Sequence, residues 1–229
     1  MMKRKLWKKI FAGVLSAVIL FTNCGITSYA VEEVNVATTD GSFVLTAAAT
    51  SETLIEPTVI DYHTGQTIRD AILSSEFTFE ADESSGFITS IEGTNGSYSI
   101  VCSDGDYHLD RSPETISVVE FTSLTGSDLP TVENGLEVRT ALILKMSEYL
   151  TAANNVQNYE PAKTAYNNAL AGLRTEDADI AGLKAAFEAA ISEYENLTTG
   201  DKVIVNIKAV QGETVLENSK CLFVDSYGT

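Results

Sequence analysis

Basic residues are scarce in this chain: 15 Lys and Arg stand against 32 Asp and Glu over 229 residues, a formal charge of −17. Five of the basic residues (Lys3, Arg4, Lys5, Lys8, Lys9) fall in the first thirty positions, where no acid occurs, so the rest of the chain carries ten basic residues against 32 acidic ones, a net of −22. A balance of that sign excludes most nucleic-acid binding, which holds phosphates through Lys and Arg that displace counterions. Cysteine is nearly absent as well. Beyond Cys24 only Cys102 and Cys221 remain, which excludes a disulfide scaffold; the two sit in different predicted modules and read as free thiols. The only Trp is Trp7, and only two His occur, His63 and His108. There is no Gly-x-Ser-x-Gly elbow, His-Glu-x-x-His pair, Walker loop or dinucleotide fingerprint. Carboxylates scattered over small modules do not single out a glycosidase pair, so no catalytic residue and no cofactor are expected. A hydrophobic fraction of 44%, with nine Phe and nine Tyr, is still enough to build cores.

Residues 1–30 read as a secretory leader. Lys3 to Lys9 form a positive segment, Ile10 to Phe21 an apolar stretch too short to span a bilayer comfortably, and Ser28-Tyr29-Ala30 a small-residue cleavage site, placing the mature terminus at Val31. Lipid attachment at Cys24 fits less well, because Phe21 and Asn23 stand where a lipoprotein box has Leu and a small residue. The expected location is extracellular, secreted or wall-associated, with no membrane association after cleavage.

The fold class expected is α+β and multi-domain. Over residues 42–123, strand-like alternation begins at Ser42 and recurs at Thr58–Tyr62, Phe77–Glu80, Phe87–Ile91, Tyr98–Cys102 and Ile116–Phe121. Thr67 can cap a short helix bearing Ile68, Ala71 and Ile72, and Glu92-Gly93, Asn95-Gly96 and Asp104-Gly105 read as turns. One helix across a mostly antiparallel sheet describes a β-grasp-like module. Residues 124–134 have linker composition, and residues 135–198 turn to helical periodicity. Leu136, Leu142, Met146, Tyr149 and Leu150 mark one helix; Pro161, Ala162, Tyr166, Ala169, Leu170 and Leu173 a second; Ile180, Leu183, Phe187, Ala190, Tyr194 and Leu197 a third. Short connections predict a three-helix bundle that folds by itself. Residues 201–229 return to alternation and read as the opening strands of a further β module, too few to bury a core alone. Glu52-Thr53-Leu54-Ile55-Glu56 with Val59-Ile60-Asp61 is echoed by Glu213-Thr214-Val215-Leu216-Glu217 with Phe223-Val224-Asp225, which points to an internal repeat.

Gly65-Gln66-Thr67-Ile68-Arg69-Asp70-Ala71-Ile72 and Phe87-Ile88-Thr89-Ser90-Ile91-Glu92-Gly93 resemble the Gly-x-Thr-Val-x-Asp-Ala-Leu and Phe-Val-Thr-Ser-Ile-Asn-Gly motifs of the family related to the carboxy-terminal domain of transcobalamin. Tyr98 stands where that family usually has Trp. Residues 137–197 resemble the FIVAR-type three-helix modules of Gram-positive surface proteins. Together the resemblances imply a secreted or wall-associated protein whose modules bind or space.

Tyr62, Tyr98 and Tyr107 are candidate ligand-binding aromatics, since Tyr offers a flat apolar body with a polar tip; packing under the sheet is the competing role. Asp104, Asp106 and Asp110, around His108, form the candidate Ca²⁺ loop. Leu109 and Thr115 occupy the positions where an EF-hand loop has Gly and Glu, and a solvated acidic turn is the preferred reading. The expected partner is a glycan or protein ligand at the cell surface. The competing functional expectation is the amino-terminal, non-catalytic region of a larger extracellular enzyme.

Overall fold

The computed structural model describes residues 40–82 and 87–198, together with the backbone of strand segments 202–207, 210–211, 214–215 and 220–225. The leader, Cys24 and the mature terminus at Val31 lie outside the described residues, as do the side chains after residue 198.

Six strands form one mixed sheet: β1 (Gly41–Ala48), β2 (Thr53–Tyr62), β3 (Phe79–Ala81), β4 (Ile88–Ile91), β5 (Thr94–Cys102) and β6 (Val118–Thr122). Their order is β2-β1-β6-β5-β4-β3, with β1 and β6 parallel and every other pair antiparallel. The parallel pair lies inside the sheet, second and third from the β2 edge, and its burial shows that both faces there are covered. All five residues of β6 and the last six of β1 are buried, the pattern of a strand covered on both faces rather than one half open to water. Phe43, Leu45, Ala47, Val119 and Phe121 enter one core, while Val44 and Val118 enter the other. Pro57 interrupts β2, and the sheet tolerates it because β2 is an edge strand and the β1 register shifts between Leu45 and Ala47.

The first core is closed by α1 (Ile68–Leu73). Its start follows the sequence closely: Thr67 accepts the Asp70 N–H, and the Asp70 carboxylate accepts the Thr67 N–H at 3.1 Å, a complete capping box. Six residues are too few for a helix stable by itself, so burial of Ile68, Ala71 and Ile72 holds it. Of the predicted turns, Glu92-Gly93 joins β4 to β5 with φ of 48° and 78°, as a tight hairpin requires. Asn95-Gly96 is not a turn. Asn95 pairs with Ser90 inside β5.

Helices α2 (Leu136–Thr151), α3 (Glu160–Gly172) and α4 (Ile180–Thr198) cover the second face. Their shared interior is aromatic: Tyr149 stacks on Tyr166 at 5.1 Å between centroids and meets Phe187 edge-on at 5.3 Å. This core is not confined to the helices, since Val44 and Val118 of the sheet belong to it. A buried ion pair crosses the same boundary. Arg139 of α2 donates through Nε and Nη2 to the Glu120 carboxylate of β6 at 2.7 and 2.6 Å, and Nη2 also donates to the Leu173 carbonyl. Residues 124–134, expected as a linker, form an ordered junction with Leu124 and Pro130 buried. Asn134 clasps it, donating from Nδ2 to the Leu129 and Ser127 carbonyls at 2.9 and 3.3 Å and accepting the Thr131 N–H. No described helix is long and apolar enough to cross a membrane.

Candidate functional site

The loop between β5 and β6 carries the acidic residues singled out in the sequence, and its shape follows from how they are paired. Gly105, at φ 84°, turns the chain, and Asp104 accepts the Asp106 N–H at 3.1 Å. Asp106 then accepts the Tyr107 and His108 N–H groups at 2.6 and 3.1 Å and contacts the His108 ring at Nδ1. Arg111 closes the loop from the far side with a two-pronged contact to Asp104 at 2.7 and 2.8 Å and a third bond to the His108 carbonyl at 3.0 Å.

The loop is also fastened to α1. The Ile68 and Arg69 N–H groups, which a helix start leaves without intrahelical partners, donate to the Arg111 and Leu109 carbonyls at 3.0 and 3.1 Å. Leu109 is buried as a plug. Arg69 donates to Asp110 at 2.6 and 3.2 Å, and its guanidinium lies 5.7 Å from the centroid of the Phe79 ring.

Electrostatics follow from these contacts. Burial opposes ionisation of Asp104, but its hydrogen bonds, first from Arg111, hold it below the usual carboxylate range. His108 and the Tyr107 N–H lower Asp106, and Arg69 lowers Asp110. All three carboxylates are therefore ionised acceptors at neutral pH, poorly suited to act as general acids. Behind the loop, burial pushes the Cys102 thiol up to about 11, so it stays protonated.

The three carboxylates weighed as an alternative Ca²⁺ loop are each paired within the protein. Asp110 turns to Arg69 while Asp104 and Asp106 turn to Arg111, and among the described residues no group of three or more His, Cys, Asp or Glu side chains is placed to hold a metal ion. Guanidinium groups occupy the acceptors that a cation would need. Arg111, directly after Asp110 and seven residues from Asp104, is the sequence signal for this pairing, while Arg69 lies 41 residues from Asp110 and gives none.

The three tyrosines separate. Tyr62 and Tyr98 are 8% and 2% exposed, which is the packing role of the two left open by the sequence. Each ring takes the space a side chain would fill above a glycine: Gly41 lies opposite Tyr62 in the β1–β2 register, and a Cβ on Gly96 would stand 2.6 Å from the Tyr98 ring. They pack the sheet, completing glycine positions from a neighbouring site. Tyr107 differs. It is 44% exposed and stands on an open cleft of about 670 Å³ with Phe87, which is 43% exposed, His108, Arg69, Ile100 and Leu129. Phe87 and Leu129 were not candidates in the sequence, because one opens a predicted strand and the other sits in the predicted linker. His63 lies in the turn after β2, where its N–H donates to Gln66 at 2.8 Å, away from the residues lining this cleft.

The arrangement is an aromatic and aliphatic floor bordered by fixed polar groups, which can hold a ligand having one apolar face and a polar edge. Comparisons of the chain with protein-family profiles, with curated proteins and with solved structures find no match.

Proposed function

We propose that the chain is a non-catalytic binding protein of the cell exterior, exported through its leader by a Gram-positive-type bacterium and either secreted or held at the wall. In this reading a β-grasp-like module carries the ligand cleft, and α2–α4, a FIVAR-like three-helix bundle, brace it as a spacer. The parallel placement of β1 and β6 as interior neighbours, with α1 between the second and third strands in sequence, supports the β-grasp-like part. The observation that carries the binding role is exposed Tyr107 and Phe87 lining one cleft whose carboxylates are already engaged, Asp110 by Arg69 and Asp106 by His108 and Arg111. Fixed, ionised and partnered groups orient a ligand well and transfer protons poorly. Aromatic faces bordered by hydrogen-bonding groups suit a neutral oligosaccharide better than a basic or acidic peptide, because the cleft's arginines are already matched by carboxylates.

Calorimetric titration with a panel of neutral oligosaccharides, beside extended peptides as the competing class, tests this. Saturable saccharide binding should weaken about tenfold or more in Tyr107→Ala, as expected for a central aromatic anchor. Failure of every saccharide to bind, or binding unchanged in both Tyr107→Ala and Phe87→Ala, would overturn the reading.

A further inference from the structure

We propose that a second cavity takes an aliphatic α-amino acid as its zwitterion, with the carboxylate on Arg139, the ammonium at Asp128 and Asp177, and the side chain against Val138 and Ile180. The cavity measures about 450 Å³ and lies where the junction after β6, the start of α2 and the turn between α3 and α4 meet. It shares no lining residue with the Tyr107 cleft, so the inference is independent of the saccharide reading.

The floor carries the inference. Arg139 is 4% exposed, and its hydrogen bonds to Glu120 and to the Leu173 carbonyl use Nε and Nη2 alone. A side-on fork of that kind leaves Nη1 pointing away from the carboxylate, and Nη1 makes no hydrogen bond. Among the described residues the Tyr166 hydroxyl is the only sealed side-chain polar atom left without a partner, so Nη1 is not sealed. Arg139 lines this cavity, and Nη1 is reached through it. A fixed guanidinium nitrogen with no acceptor is a site for an acceptor brought by a ligand, best an ionised one. The start of α2 adds to that polarity: Gly135, also in the lining, supplies no side-chain cap, so the positive end of the helix is open here.

The rim has the opposite sign. Asp128 and Asp177 line the same cavity, and among the described residues neither meets a basic side chain; Asp128 has only the Ser127 hydroxyl, at 3.5 Å. Asp179, beside them, is occupied in capping α4, where it accepts the Gly182 N–H at 2.9 Å. Unpaired carboxylates at the mouth repel a simple anion such as phosphate, and a simple cation leaves Nη1 without its acceptor. A zwitterion satisfies both ends. Between floor and rim the wall is apolar, with Leu124 and Pro130 buried and Val138 and Ile180 half-buried, which favours an aliphatic side chain over a charged one.

Calorimetric titration of the full chain with leucine tests this, beside N-acetylleucine, which lacks the ammonium, and leucinamide, which lacks the carboxylate. Leucine should bind saturably, and each analogue should bind about tenfold or more weakly. Ala181→Trp, which puts a bulky ring on an exposed lining position, should abolish binding. Asp128→Asn with Asp177→Asn, a change of charge at nearly constant volume, should weaken it about tenfold or more, and Tyr107→Ala should leave it unchanged. Absence of saturable leucine binding overturns the proposal, as does an analogue that binds as tightly as leucine. Leucine binding that survives Ala181→Trp, that ignores the double Asp variant, or that is lost in Tyr107→Ala overturns it too, because the ligand would then lie elsewhere.

Discussion

Two bidentate guanidinium–carboxylate contacts, on opposite sides of the same sheet, have opposite consequences. Arg139 and Glu120 are 5% and 3% exposed at the side chain, whereas Arg69 and Asp110 are 34% and 68% exposed. In the buried pair both charges have left water, and the attraction between them mainly offsets that desolvation. In the exposed pair solvent screens the attraction, and what remains is geometric: the pair sets where a loop sits. The same chemistry therefore locks helices to sheet on one face and shapes a cleft on the other. Hydrogen bonds alone do not tell the two apart; burial does.

The sharpest way to break this comparison is to remove one partner on each side. Glu120→Ala should destabilise the fold by about 3–5 kcal/mol, because it leaves the Arg139 guanidinium buried without its carboxylate. Replacing both, as Glu120→Leu with Arg139→Met, should recover most of that loss, since an apolar pair of similar volume carries no desolvation penalty. Recovery will be incomplete by about 1 kcal/mol, the Leu173 carbonyl having lost its donor. Arg69→Ala, in contrast, should cost no more than about 1 kcal/mol. Denaturant melts of the four proteins decide it. A Glu120→Ala loss no larger than that of Arg69→Ala would show that the buried pair does not join the two halves.

Much of the sheet and of α1 was legible in the sequence, because their signals are local. The Thr67–Asp70 capping box lies within four residues, and the alternation of Phe43, Leu45 and Ala47 needs only the period of a strand. The seam Phe187, Ala190, Tyr194 of α4 reads directly from heptad spacing. What the sequence hid depends on which segment lies opposite. Glu120 within an apolar run and Arg139 on a helix look like two ordinary surface charges until folding places β6 against α2. For the same reason residues 124–134 read as a linker, although Asn134 ties that junction into a fixed shape. The choice between binding and packing for the tyrosines stayed open in the sequence for a partly related cause. Tyr62 covers Gly41 across the β1–β2 pairing, which is visible only when the register is known, whereas Tyr98 covers Gly96 two residues away on its own strand.

A buried polar group with no partner gives the complementary case. Tyr166 is 5% exposed, and its hydroxyl has no hydrogen-bond partner of good geometry, with only a weak interaction toward the Glu56 carboxylate. Burial, and after it the negative charge of Glu56, pushes the phenol above its usual range. Tyr166→Phe keeps the ring against Tyr149 and Phe187 and removes only the orphaned hydroxyl, so it should stabilise the protein by about 1 kcal/mol. A thermal melt that falls instead would show that the hydroxyl is satisfied, by water or by Glu56.

The exposed pairs have the smallest effect and a defined pH window. Asp104, Asp106 and Asp110 all have folded pKa values below those of the unfolded chain, chiefly through Arg111, His108 and Arg69 respectively. As pH falls, the unfolded state takes up these protons first, so equilibrium shifts toward unfolding. Their contribution is complete above the unfolded carboxylate pKa of about 4 and is lost as pH drops through the lower folded values. Arg69 and Arg111 stay protonated throughout, raised further by their partners, so no matching loss occurs on the alkaline side of neutrality. Melting temperature should accordingly be flat between about pH 5 and 7 as far as this loop is concerned, and fall below about pH 4. Arg111→Gln should make that acid fall shallower by returning Asp104 toward its ordinary range, the stability so lost being missing at neutral pH and the two proteins converging below the folded carboxylate range. An acid slope identical in Arg111→Gln and in the parent would show that the loop's ion pairs do not couple to folding, and would leave the cleft's shape to backbone hydrogen bonds and the Leu109 plug.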